Sequence, residues 1–388
     1  MSDTLNNAIK ILKRLVSFDS ISGKPNREVV GYIENYLSNL GLDIRLSYDD
    51  VGERANVFCT IGPEVDGGVV FSGHTDVVPV DGQNWSTDPF VLTRINDRFY
   101  GRGSVDMKGF LACVMASVPT FQAAKLNKPI HLAFSYDEET GGFGMPVLLE
   151  NMSQLSMQPG IVIVGEPTSM QLITGHKGAY EMRTEITGHA VHSCDPTKGV
   201  NAIFIASKLI EKIQEIGARL SAKPYPNSPY EPAYCTVNVG IIEGGTASNA
   251  TAGWCNFNWE IRPMPGENGR SVVDEIIAYA NSDLLPDMKA ISQDSDIRII
   301  TNAAVPALDD TNAEKAAALV SHLTGLNSRD VVSFGTDAGY FSDAGLSTVV
   351  FGAGDINRAH KADEYIEVSE MIESLQFLEK VSQHLTSI

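Results

Sequence analysis

The chain is poor in cysteine. Its five, Cys59, Cys113, Cys194, Cys235 and Cys255, are an odd number spread over 388 residues with no C-x-x-C pair. Neither a disulfide framework nor a thiolate zinc knuckle is therefore expected, and reduced, mostly buried thiols are. Long apolar runs are missing as well. Nothing approaches the roughly 18 consecutive apolar residues of a membrane span. The N-terminal DTLNNAIKILKRLVSF sets Leu5, Ile9, Leu12 and Val16 on one face among Lys and Asn, an amphipathic helix and not a secretion signal. A cytoplasmic location is the expectation. Basic residues are also scarce: 29 Lys and Arg face 48 Asp and Glu, and the net charge of -19 would repel nucleic acid. Repeats, low-complexity tracts and long linkers are absent. The proline-rich SAKPYPNSPYEP is the one obvious irregular loop.

What the chain does have is a set of short, apolar, β-branched runs, each leading into an acid or a histidine. GGVVFSG precedes His74, PIHLAFSYD precedes Glu138 and Glu139, GIVIVG precedes Glu166, and STVVFGAG leads towards His360. Such runs read as buried parallel strands, and ligands in open α/β sheets collect at the carboxyl ends of those strands. Asp106 lies in the glycine-flanked GRGSVDMKG, just before a predicted helix KGFLACVMASVPTF. Two histidines and several carboxylates meeting at strand ends suit two divalent ions of borderline softness, equipment for hydrolysis.

The length predicts two domains. Up to about residue 180 strands alternate with helices, including one over residues 27–40. From 181 the texture changes to β-α-β-β-α-β: EMRTEITG, a long helix GVNAIFIASKLIEKIQEIGARL, strands AYCTVNVGIIEGG and TAGWCNFNWEIRP, a helix RSVVDEIIAYANSDLL and a strand at DIRII. That order predicts a ferredoxin-like α+β sandwich inserted into an α/β domain. The expected parts are 1–180 and 293–388 for a catalytic domain with a mostly parallel sheet flanked by helices, and 181–292 for the insertion. Thr311 and Glu314 read as a capping box opening a helix over Ala316 to Leu323.

Alone, each motif has a plain structural alternative. His74 and Asp76 in GHTDVVP project to one side of an extended chain, so the carboxylate can orient a ligating imidazole or merely brace a strand end. Asp106 can be a helix cap. Glu138 and Glu139 can form a solvated turn, though beside a bound metal one of them is within reach of a water as general base. Glu166 precedes a proline, which holds it extended. Arg262 suits a bidentate carboxylate contact, or else a strand-edge salt bridge.

Taken together and in this order, the motifs closely resemble the M20 family of binuclear-zinc amidohydrolases and deacylases, over nearly the whole chain. The resemblance implies a zinc-aminopeptidase-like catalytic domain and an inserted lid that carries homodimer contacts. It implies two divalent ions, zinc first, with cobalt or manganese as alternatives. His74 and Glu166 would hold one ion, Glu139 and His360 the other, and Asp106 would bridge them. Glu138 would be the catalytic base and Asp76 the partner of His74. His192, in TGHAVHSCDPTKGVNAI, would reach the neighbouring subunit's site to help hold the oxyanion. GGTASNA and EIRPMPGE match lid segments that touch substrate and implicate Asn249 and Arg262.

VSFGTDAGYFSDAG, with Thr336 and Asp337, and GAGDINRAHKADEY resemble segments of the acetylornithine deacetylase branch. Asp337 stands where Glu is more usual. The implied reaction is hydrolysis of N2-acetyl-L-ornithine to ornithine and acetate, within arginine biosynthesis. The alternatives are another N-acyl-amino-acid hydrolase, a succinyl-diaminopimelate desuccinylase, or a dipeptidase or carboxypeptidase. A noncatalytic binding protein of this family would have lost a ligand or the base, and this chain retains all of them.

Overall fold

The computed structural model describes residues 2–387. Its strands, in chain order, are β1 (Ile44–Tyr48), β2 (Ala55–Ile61), β3 (Val69–His74), β4 (Thr93–Ile95), β5 (Arg98–Tyr100), β6 (Ile130–Ser135), β7 (Ile161–Val164) and β8 (Ile173–His176). Next come β9 (Ala179–Thr187), β10 (Thr236–Gly244), β11 (Trp254–Arg262), β12 (Asp296–Val305), β13 (Asp330–Val332), β14 (Ser347–Val350) and β15 (Tyr365–Glu367).

Two compact units divide these elements. The first runs through Gly175 and resumes at Leu308–Val331 and from Thr336 onward. Its large sheet has the order β1-β2-β6-β3-β7-β14-β8-β13. The apolar runs picked out in the sequence are its centre: β6–β3, β3–β7 and β7–β14 pair in parallel. β3 and β6 are buried along their whole length, as strands covered on both faces must be. The sheet is nevertheless mixed, because β1–β2, β2–β6 and β14–β8 pair antiparallel.

Helices cover the sheet. Lys108–Ala123 is apolar on nearly every side and lies in the core, packed against Ser2–Val16 and Val368–His384. Arg27–Asn39 buries Val29, Val30, Ile33 and Leu37, close to the span expected for it. The Thr311–Glu314 capping box does not form. Asp309 caps a short turn by accepting from the Thr311 N–H at 2.9 Å, and the Glu314 side chain instead meets Arg329 at 2.8 Å. A reciprocal box closes the start of the last helix, between Glu367 and Glu370.

The second unit spans His176–Ala307 and Val332–Gly335. Its sheet, β10-β11-β9-β12, is antiparallel throughout, which with the helix Ala202–Ser221 between β9 and β10 and Gly269–Tyr279 before β12 gives the expected ferredoxin-like order. Because β12 pairs with β9 along its length, this unit runs on to Ala307, past the limit at 292 that the sequence pattern suggests. It has its own core, with Leu209, Ile213, Phe257, Trp259 and Ile276 at its centre.

Candidate metal centre

The parallel strands of the first unit end side by side, and the segments that leave them converge. His74 closes β3 and is almost wholly buried. Its Nε2 lies 3.1 Å from Asp106 Oδ1 and 3.6 Å from Glu166 Oε1. Glu166 comes just after β7, in a space cleared by glycines. A side-chain carbon at Gly165 would lie 2.2 Å from the Phe110 ring, and one at Gly352 would lie 2.4 Å and 2.5 Å from the carbonyl oxygens of Gly165 and Glu166. Glu138 and Glu139 form a single 3-10 turn after β6, entered through Asp137 in a left-handed conformation at φ 56°. His360 sits in the loop after β14, also at positive φ, and its Nε2 meets Asp106 Oδ2 at 3.2 Å and Glu139 Oε2 at 2.9 Å. Asp106 thus stands between the two histidines, one carboxylate oxygen towards each.

Asp76 departs from the geometry expected of it. The ring Nδ1 of His74 lies 2.9 Å from the Asp76 backbone oxygen and 3.6 Å from its carboxylate. The carboxylate itself accepts from the backbone N–H groups of Glu138 and Glu139, each at 3.2 Å, and from the Ser22 hydroxyl at 2.5 Å. It therefore ties the end of β3 to the turn that carries both glutamates.

The electrostatics are those of too much negative charge in too little solvent. Burial and the Asp106 carboxylate push Glu139 up to about 7, against the pull of His360. Burial, with Asp106 next, raises Glu166 well above the carboxylate range, and burial with Glu166 does the same to Glu138. Asp106 is the exception. Burial opposes its ionisation, but hydrogen bonds from His360 and His74 hold it well below its ordinary value. Hydrogen bonds to Asp106 and Glu139 lift His360 to about 10. The protein alone keeps protons here that bound cations would displace. His74, Asp106 and Glu139 bring ligand atoms within 4.8 Å of one another, as do His74, Glu138 and Glu166, so the donor set fits divalent metal.

Asp337 is buried in the same unit. Its Oδ2 accepts from the Ser135 hydroxyl at 2.5 Å, its Oδ1 is buried without a hydrogen-bond partner, and burial pushes the carboxyl up to about 7. The neighbouring Thr336 hydroxyl accepts from the Ala338 N–H at 3.1 Å.

In the second unit His192 and Asn249 adjoin. The Ser193 N–H donates to the Asn249 carbonyl at 3.0 Å, and His192 forms an isolated bridge with Ala250. Both side chains are exposed. Arg262, at the end of β11, binds Glu260 of its own strand at 2.7 Å, the salt bridge its position also allowed.

Sequence reasoning missed four residues that hold this centre together, Glu364 with Arg102 and Asp137 with Arg54. Glu364 accepts from the N–H groups of Val105 and Asp106, and pairs with the equally buried Arg102 at 2.7 Å. Asp137 accepts from the Gly23 N–H at 2.8 Å and pairs with Arg54. The only trace of Glu364 in the sequence is its place in GAGDINRAHKADEY, four residues after His360.

Residues 70–384 match the family model described as peptidase family M20/M25/M40. The chain is 30% identical to acetylornithine deacetylases of Klebsiella pneumoniae (strain 342) and Salmonella newport (strain SL254), over 99% of this chain and 99% of each relative. Among solved structures, an M20 family metallo-carboxypeptidase from Sulfolobus solfataricus superposes with a TM-score of 0.73 at 19% identity, covering 98% of this chain and 99% of that one. A Bacillus subtilis protein described as a dinuclear metal-binding peptidase from the M20 family covers 100% of both chains with a TM-score of 0.64 and 14% identity.

Proposed function

Since this chain belongs to peptidase family M20/M25/M40 and is a hydrolase acting on amides, we propose that it removes the acetyl group from N2-acetyl-L-ornithine, giving ornithine and acetate. The observation that carries the amide hydrolysis is the meeting of His74, Asp106, Glu138, Glu139, Glu166 and His360 at adjacent strand ends. The full-length likeness to acetylornithine deacetylases supports the substrate.

In this reading His74 and Glu166 would hold one divalent ion and Glu139 and His360 a second, with Asp106 serving both. Zinc is the first choice of metal, and cobalt or manganese would also suit these donors. When bound, such ions supply positive charge that polarises an amide carbonyl and acidifies water. Glu138 takes a proton from the attacking water as its oxygen bonds to the acetyl carbon. The same carboxyl then gives that proton to the ornithine nitrogen as the C–N bond breaks, so Glu138 ends the cycle as it began. Burial, which raises its affinity for a proton, suits a group that must carry one between two partners. Asp76, through the backbone of Glu138 and Glu139, keeps the base and its neighbour in register.

Within the first unit, Thr336 with Asp337 would meet the side-chain ammonium. The unpartnered buried oxygen of Asp337 supports that assignment. His192 would act in the site of a second copy, making the enzyme a homodimer joined through its inserted unit. We place it in the cytoplasm and in arginine biosynthesis. No helix among the described residues is long and apolar enough to cross a membrane.

The test compares kcat/KM of the metal-loaded protein on N-acetylornithine, N-acetylmethionine and N-succinyl-diaminopimelate. At least about tenfold preference for acetylornithine is expected, a difference of about 1.4 kcal/mol in transition-state binding. Preference for another of the three would overturn the substrate and keep the chemistry.

A further inference from the structure

His360 and Asp106 come from loops and not from strands, so something other than the sheet must fix them. A continuous chain of side chains does this, all within the first unit. Glu364 grips the Asp106 turn at several points. Its backbone carbonyl accepts from Gly101 N–H at 3.0 Å, its Oε1 accepts from Val105 and Asp106 N–H at 2.9 Å and 3.2 Å, and its Oε2 accepts from Arg102 Nη1 at 2.7 Å. Arg102 and Glu364 are each 1% exposed, so their charges are available only to one another and to what lies beside them.

The other guanidinium nitrogen, Arg102 Nη2, donates to Gln83 Oε1 at 2.6 Å, and the guanidinium lies 5.1 Å from the Trp85 ring centroid. Trp85 Nε1 donates to the same Gln83 oxygen at 3.1 Å. With its oxygen held twice, the Gln83 amide presents its nitrogen to the backbone carbonyl of His360 at 3.1 Å. His360 is at φ 62°, a conformation a non-glycine residue keeps only when its surroundings impose it. Nearby, the Asp363 carboxylate accepts from Ser86 N–H and its hydroxyl, each at 2.8 Å, pinning the same two loops together a second time.

We propose that Glu364, Arg102 and Gln83 are positioning residues that join the Asp106 turn to the His360 loop and so set the affinity of the ion held by His360 and Glu139. The inference rests on the two-ion reading above. It assigns the three residues no contact with substrate or metal. Their effect passes through the backbone of Asp106 and of His360. Partners of this kind, one step behind the ligands, typically change metal affinity by about 10- to 100-fold when removed.

Gln83 offers the cleaner variant, because it is part-exposed and bears no charge. The experiment titrates cobalt into the metal-stripped full chain by calorimetry, for wild type, Gln83→Leu and Glu364→Gln, with the melting temperature of each recorded alongside. Gln83→Leu is expected to weaken one of the two ions about 10-fold and leave the other unchanged. Glu364→Gln is expected to weaken both, since Asp106 faces both. If Gln83→Leu binds both ions as wild type does, or loses both equally, the inference is overturned. Should Glu364→Gln fail to fold, Gln83→Leu decides alone. Wild type that binds fewer than two cobalt ions would remove the two-ion reading and this inference with it, whereas two ions bound equally well by wild type and Gln83→Leu would remove the inference only.

Discussion

The two sides of the candidate centre are built differently. His74 and Glu166 stand at the ends of parallel strands in the middle of the large sheet, and the His74 side chain is 1% exposed. His360 lies in a loop at positive φ, with a side chain 54% exposed. One side inherits its geometry from the sheet's hydrogen bonds and the packing beneath it. On the other side Glu139, in the turn after β6, is 7% exposed, whereas His360 is held in its loop by individual side chains, so it is easier to loosen and easier for solvent to reach. A centre built in this way would keep its buried donors rigid while His360 alone stays open to water.

The largest effect tests whether the chemistry sits between the two sides. Glu138→Ala should lower kcat by about 10³-fold, within the range of a lost general base, while metal content by elemental analysis stays at the wild-type level. Turnover that survived the change would remove Glu138 from the mechanism. Next come the histidines themselves. His74→Ala should cost more metal affinity than His360→Ala, because the buried ring cannot be replaced by water as readily as the exposed one. Equal losses in a competitive chelator titration would erase the difference drawn between the sides.

The smallest effect is on stability against pH in the metal-free protein. Glu139 is raised from 4.5 to about 7, and His360 from 6.5 to about 10. In both cases the folded chain holds its proton to a higher pH than the unfolded chain does. Stability without metal should therefore fall as pH rises through about 4.5 to 7, and again through 6.5 to 10. The melting temperature should drop across that range in metal-free protein. Bound metal, which favours the deprotonated ligands, should flatten the curve. A metal-free curve that rose with pH would contradict the charge crowding.

Much of the first side was legible in the sequence, and the reason is physical. The VVF of β3 and the IVIV of β7 are apolar stretches suited to a doubly covered strand, and a residue at the end of such a strand has few places to go. The second side was legible only as a resemblance, because a histidine in a polar loop carries no periodic signal. Glu364 could not be read at all. Its hold on the Asp106 turn runs through backbone N–H groups, which every residue but proline has, and its one charged partner, Arg102, lies 262 residues away along the chain. Asp76 was half legible: i and i+2 do project together, but the imidazole reached the backbone oxygen, which left the carboxylate for Glu138 and Glu139. The Thr311–Glu314 box failed because Asp309, two residues earlier, reached the Thr311 N–H first. The antiparallel strands at the edges of the large sheet were hidden for a similar reason, since direction is fixed by connections and not by composition.

The two glycines beside Glu166 bear on how such a chain can change over generations. At Gly352 even one methyl group would press into two carbonyl oxygens, and at Gly165 into an aromatic ring that already fills the space. Surface loops tolerate many replacements, so the specificity of a descendant can wander there. A side chain at Gly352 would have to displace backbone and one at Gly165 the Phe110 ring, so descendants that keep this setting of Glu166 are expected to keep Gly352 most strictly.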